Sequence, residues 1–398
     1  MTAGKPRALR VAMVHLSDWK LDSRIQRLAR ALAERGDEVH LVCIGEPAVE
    51  QCGPGRIVVH PVMSAKPQGG YGAYLAGYGG FLLAATRKLA ALGRRRRLDV
   101  VEAHNMPDIL TAAAIVPRLK GTPVVLNVHD TFPELFATKF GRAPRDPLVR
   151  LVELEERVSA ALADRVITVT EEAADRLHSR GVGVGRTVVV MNTPDESAFG
   201  PARSPVSVPS DGPVKILYHG GLAPRFGVEV LLRSVGHLNG SRERVQLRVI
   251  GSGEDRDRLA GIAREIAPER IDVAAQPVPF AEIPNELAAA HVGVVPTIQD
   301  HFTELLLPVK LMEYVHAGLP VVASRLPAIE RYFGDEAARL FAPGSPQALA
   351  GAIEDILHDP AAAQQRAARA TDRLAPLGWT EQRRRYLAMM DELTAARE

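Results

Sequence analysis

A chain of 398 residues is long for one hydrophobic core and comfortable for two of ordinary size. Hydrophobic residues make up 46% of it but aromatics only 5%, so aliphatic side chains carry the apolar content, which suits stacked α/β layers better than a β-sandwich. A formal net charge of +2 argues against nucleic acid as an obligate partner, because phosphate-backbone binding needs a strong basic excess.

The first residues, Met1 to Pro6, run into a strand with no apolar signal core, which predicts a cytoplasmic protein. Leu9–His15 reads as that strand, Asp22–Arg35 as a helix with Ile25, Leu28, Ala29 and Leu32 on one face and Gly36 as its stop, and Glu38–Ile44 as the next strand. Cys43 falls in this strand and Cys52 in the loop expected after it. Their spacing matches no metal or redox motif, so both are expected as reduced thiols.

Tyr71–Leu92 is the most apolar stretch, but its early glycines, Arg87 and Lys88 disqualify it as a membrane span. It ends in Arg94–Arg97, either a solvated helix end or a patch for anionic lipid or an acidic acceptor. Further strands are predicted at 99–103, 123–128, 165–170 and 187–191, completing one doubly wound domain over residues 1–200. Residues 201–213 are a linker by their proline, glycine and serine content. The alternation resumes over residues 214–378, with strands at 214–218, 245–250, 292–295 and 320–323 and helices at 228–238, 255–267 and about 309–317. A final helix follows Trp379. The expected fold class is α/β, two doubly wound domains facing each other across a cleft, with ligands at the carboxyl ends of strands.

Polar residues at those strand ends are the candidate site. In the first domain, Glu102-Ala103-His104-Asn105 and Asn127-Val128-His129-Asp130 end two strands, which puts His104 and His129 on one rim. A histidine there is either a functional group or a satisfied hydrogen-bonding residue. In the second, His219-Gly220-Gly221 and Gly251-Ser252-Gly253 follow strands, where glycines let a ligand approach the backbone. Arg225 stands before a helix whose N-terminus favours an anion. Asp255-Arg256-Asp257 at a helix start reads as dipole complementation rather than a metal pair. The segment from Phe302 to Tyr314 breaks at Pro308 and begins a helix bearing Lys310 and Glu313. Amides and a lysine could hold a phosphate and the glutamate accept from a diol, or the two could be a surface ion pair.

Taken together, Ala103–Asp108, Val128–Glu134, Met191–Asp195, Tyr218–Gly220 and Leu307–Tyr314 resemble, in order, the retaining glycosyltransferases of family 4, with the GT-B fold of two facing Rossmann-like domains. The likeness spans nearly the whole chain and is nearest to bacterial members of polysaccharide assembly. It implies transfer of a sugar from a nucleotide-diphosphate donor, without a metal or other cofactor, to a sugar, lipid-linked or small-molecule acceptor. By this resemblance Glu313 is the second glutamate of the E-x7-E motif and meets the ribose. The first falls on Leu305, with Glu304 one place off. The amides of Leu306 and Leu307 grip the diphosphate, and His129 reaches the donor sugar. The arginine and lysine common in the family are replaced by Gly221 and Phe226, leaving Arg225 and Lys310 to bind the diphosphate. Asp22-Ser23-Arg24 replaces the usual Gly-Gly loop, so Arg24 is expected near the phosphates. His104, Asn105 and Asp130 are expected on the acceptor side, with acceptor identity held in variable loops including 66–80. The family also expects the last helix, 379–398, to cross back onto the first domain.

No carboxylate is placed as a covalent nucleophile, which favours front-face attack with the leaving phosphate taking the acceptor proton. The rival readings are a nucleotide-sugar epimerase of the same fold and an inactive donor-binding partner.

Overall fold

The computed structural model describes residues 7–65, 71–194, 199–238 and 242–395. It divides into two units. One comprises residues up to Met191 together with those from Gln382 onward; the other runs from Asn192 to Glu381. The boundary therefore falls at Met191 rather than at residue 200. The proline-rich stretch is no free linker: Arg203 and Val206 donate their amides to the carbonyls of His316 and Gly318, inside the second unit.

In the first unit, the Val- and Ile-rich runs of the central strands are buried on both faces, as strands covered by helices must be. The strands are β1 (Arg10–Asp18), β2 (Glu38–Ile44), β3 (Ala48–Cys52), β4 (Gly55–Met63), β5 (Val100–His104), β6 (Val124–Asn127), β7 (Arg165–Thr168) and β8 (Thr187–Val189). They form one sheet in the order β3-β4-β2-β1-β5-β6-β7-β8, parallel except for β3. The β3–β4 hairpin was not expected, and it puts Cys52 at the end of an edge strand instead of in a loop. The helix Tyr71–Arg95 buries Phe81, Ala85 and Leu89, a four-residue spacing, against Ala12, Val42 and Val101. The segment expected as an acceptor loop is thus helical from Tyr71, while 66–70 lie outside the described residues.

The helix Trp379–Ala395 closes the first unit from Gln382 onward, where Tyr386, Met389 and Met390 are buried. Gln382 Oε1 accepts from the Met191 amide at 2.8 Å, and Arg35 reaches Asp391 at 2.6 Å.

The second unit holds β9 (Val214–Gly221), β10 (Val245–Ser252), β11 (Ile271–Val273), β12 (Val292–Val295), β13 (Val321–Ser324) and β14 (Arg339–Phe341). All six are parallel, in the order β11-β10-β9-β12-β13-β14. The sequence of strands reverses direction between β1 and β5 in one sheet and between β9 and β12 in the other. At such a reversal neighbouring connections leave to opposite faces and open a crevice at the strand ends. Both candidate regions lie at these points.

Candidate active site

At the first reversal, β1 and β5 pair Val14 with Ala103, which brings the next residues, His15 and His104, side by side. His104 Nδ1 lies 2.9 Å from His129 Nε2, and the rings of His15 and His129 stack with centroids 6.3 Å apart. Beneath them Glu102 is fully buried, accepting from Asn127 Nδ2 and from the Tyr386 hydroxyl, each at 2.6 Å. Burial, and then the nearby Arg24 guanidinium, hold His129 well below the usual histidine range. Burial followed by His15 and Arg24 does the same for His104, so both rings are neutral near pH 7.

This geometry reassigns several residues. His104 has no exposed surface and Asn105 only 3%, so neither can touch an acceptor directly. Asn105 is instead a clamp, accepting from the His129 amide at 2.8 Å and donating to the Asp130 carbonyl at 2.6 Å. Of the three residues expected on the acceptor side, only Asp130 is half-buried rather than buried. Arg24 is not available to phosphates either. It turns inward, 5% exposed, and donates to Asn127 Oδ1 and the Val190 carbonyl. Asp22 caps the helix Ser23–Arg35 by accepting from the Ile25 amide, which aims Arg24 into the sheet.

At the second reversal, the end of β9 meets the helix Val309–His316. The Tyr314 hydroxyl accepts from the His219 amide at 3.0 Å, locking the helix to the strand. Glu313, 8% exposed, places Oε2 3.2 Å from His219 Nε2. Burial, aided by Lys310, lowers the His219 pKa to about 3, so Glu313 faces a neutral ring. Lys310 Nζ donates to the Tyr218 hydroxyl at 2.8 Å, which donates on to the Gly221 carbonyl at 2.6 Å. The ammonium lies 4.1 Å from the Tyr218 ring centroid and 5.0 Å from that of Phe226. Burial among these groups pulls its pKa down to about 7, against a smaller opposing effect of Glu313.

Gly220 is held by its backbone: its φ is 124°, and a Cβ there would also stand 2.6 Å from Lys310 Nζ. At Gly221, where φ is not positive, a Cβ would stand 2.6 Å from the Phe226 ring, so a side chain there would displace that ring. Gly221 and Phe226 are therefore a compatible pair: the ring fills the space a longer residue at 221 would take, and Lys310 brings the cation from another element. Gly251 and Gly253 have a different cause. Side chains there would strike the carbonyls of Gly220 and Leu222, so the close approach is between chain segments.

Arg225 is partly exposed, lies 5.5 Å over the Phe226 ring, and forms no ion pair among the described residues. Leu305 is buried at 6% exposure, whereas Glu304 stays accessible and accepts from Gln299 Nε2 at 2.9 Å. The Leu306 amide is already used, donating to the Thr303 carbonyl. The Leu307 amide has no backbone partner among the described residues and stands at the helix entrance with the first amides of the turn.

The sequence assigned no role to His15, Tyr218, Tyr314, Tyr386 or Glu102, although Glu102, Tyr218 and Tyr314 stand within the stretches it marked. A role for His15 and Tyr218 could have been found, since each stands where a predicted strand hands over to polar residues. Tyr386 could not, since its partner Glu102 is 284 positions away.

Two doubly wound parallel sheets in one chain, each with polar side chains at its reversal point, define the GT-B architecture. The description Glycosyltransferase Family 4 matches residues 22–197, and Glycosyl transferases group 1 matches residues 213–359. These matches span most of the chain, which belongs to the family 4 glycosyltransferases. It is 28% identical over 311 residues to a glycogen synthase of Mycobacterium tuberculosis, covering 76% of this chain and 71% of that one. It is also 28% identical over 392 residues to the D-inositol 3-phosphate glycosyltransferase of Kineococcus radiotolerans, covering 89% and 86%. Among solved structures, a sucrose-phosphate synthase from Thermosynechococcus elongatus superposes with a TM-score of 0.76 at 19% identity, over 98% of this chain and 100% of that one.

Proposed function

We propose that this glycosyltransferase binds a nucleotide-diphosphate sugar in its second unit and transfers the sugar, with retention of anomeric configuration, to an acceptor hydroxyl. Biosynthesis of polysaccharide, glycolipid or a glycosylated metabolite is the proposed setting. The observation that carries this reading is the grouping of Glu313, Lys310 and the Gly220–Gly221 backbone at the β9–β12 reversal. A buried carboxylate suits a ribose diol, while an ammonium and open helix-start amides suit a diphosphate.

Chemistry follows from where charge develops. The departing nucleoside diphosphate gains negative charge, and Lys310, Arg225 and the Leu307 amide stabilise it without a divalent metal. Glu304 takes the donor-sugar contact that Leu305 cannot make. His129, neutral and oriented by His104 and Asn105, supplies the first unit's hydrogen bond to a sugar hydroxyl, and Asp130 serves the acceptor. The exposed run Arg94–Arg97 is proposed as an electrostatic contact for anionic headgroups. No helix of the described residues is long and apolar enough to cross a membrane.

The test is a thermal-shift screen of nucleotide sugars, followed by nuclear magnetic resonance of the product made from the stabilising donor. An unchanged anomeric configuration and activity undiminished by EDTA are the expected results. An inverted product, or activity restored only by magnesium or manganese, would overturn the proposed mechanism.

A further inference from the structure

The helix Pro147–Leu162 of the first unit is inside out. Its inward side buries Val149, Glu156, Ser159 and Ala160, and Glu156 is fully buried, bound at 3.1 Å by Arg180, which also holds Glu134. Three leucines and a valine face solvent: Leu148, Leu151, Leu154 and Val158 are 40%, 60%, 54% and 46% exposed. A helix on a globular domain normally turns its apolar stripe inward, and a continuous exposed stripe marks a surface that something covers.

Charge identifies the occupant. Arg145, Arg150 and Arg157 are exposed beside the stripe and form no ion pair among the described residues, whereas the helix's glutamates face the domain. A second copy would bring like-charged arginines together, which is unfavourable, whereas an anionic bilayer satisfies both features. Leucines enter the acyl boundary while arginines remain among the headgroups. We propose that the outer face of Pro147–Leu162 is a membrane-docking surface that lies in the interface of an anionic bilayer. This contact is separate from the electrostatic one at Arg94–Arg97, where Arg94 and Arg97 also donate to the carbonyls of Ala90 and Gly121. It does not depend on the donor chemistry.

The experiment is co-sedimentation of the full chain with vesicles of phosphatidylglycerol and phosphatidylcholine in equal parts, compared with phosphatidylcholine alone. Wild type should sediment with the mixed vesicles. Leu151→Ser combined with Leu154→Ser should lower the partition coefficient about a hundredfold, about tenfold for each leucine withdrawn. Both side chains are exposed, so the variant should keep the wild-type melting temperature. In a second measurement, Leu154→Trp should shift its fluorescence to the blue on mixed vesicles. Three outcomes would overturn the proposal: equal sedimentation of the double variant and wild type, a dimer that the same variant dissociates, or binding lost only on replacing Arg94–Arg97.

Discussion

Raising the pH through the neutral range should switch off the donor site while leaving the protein folded. Lys310 loses its proton near pH 7 because burial beside Tyr218 and Phe226 disfavours the ammonium. If the charged form stabilises the departing diphosphate, kcat/KM for the donor falls about tenfold per pH unit above 7, or about a hundredfold by pH 9. The break in kcat should come at higher pH, because a bound diphosphate holds the proton on the lysine. His219 titrates near 3 and cannot produce this limb, but Asp108 and Glu155 in the first unit titrate at about 8 and about 7. Lys310→Arg separates them: a guanidinium stays charged, so its profile should lose the limb even if its maximum rate is lower. The stability contribution has the opposite sign. A lysine whose folded pKa is depressed makes the folded state more stable as pH rises from about 7 to 10.5, so lost activity would not be lost structure. Initial rates of nucleotide release from about pH 6 to about 9.5, with circular dichroism at each point, read both effects. A wild-type profile flat to about pH 9, or the same limb in Lys310→Arg, would refute Lys310 as the stabilising charge.

Glu313→Ala should raise the donor KM by about one to two decades with little change in melting temperature, since a charged hydrogen bond to a diol is worth about 1.5–3 kcal/mol. Unaltered donor kinetics in a folded variant would remove Glu313 from the site. Arg225→Ala should lower kcat by about two to three decades, the effect of deleting one charge-stabilising donor, and a wild-type kcat would count against its role. Tyr386→Phe leaves Glu102 one donor short in a fully buried position and should cost about 1–3 kcal/mol, measurable by urea denaturation. Asp108, pushed up to about 8 first by burial and then by Glu155, binds its proton more tightly folded than unfolded. Its contribution to stability is full below about pH 4 and lost as pH rises through about 8, so Asp108→Asn should flatten the fall in melting temperature over that window.

Much of the architecture was legible because parallel strands buried on both faces must be apolar throughout, and glycines with positive φ must stop helices. Gly36 and Gly318, with φ of 115° and 76°, end helices where the pattern placed the stops. Glu38–Ile44 and Val292–Val295 are strands over the ranges read from their residues. Short edge elements were missed. Ala48–Cys52 alternates between half-buried and exposed residues, and Ile271–Val273 and Arg339–Phe341 have three residues each, too few to show a period.

Side-chain partnership was where residue order ran out. The order of residues alone brought His104 and His129 to one rim, because two strand ends of the same type were visible and parallel neighbours share a direction. It also marked Lys310 and Glu313 as one turn apart on a helix that starts at a proline. Only the tertiary structure decided that Arg24 turns inward, that Phe226 packs on Gly221 while Lys310 supplies the nearby cation, and that Tyr386 fixes Glu102 beneath the histidines. It also decided that the leucines of Pro147–Leu162 face outward, because Arg180, on a separate segment, draws that helix's glutamates in. Periodicity reports which residues share a face, but the partner that claims the face comes from elsewhere in the chain.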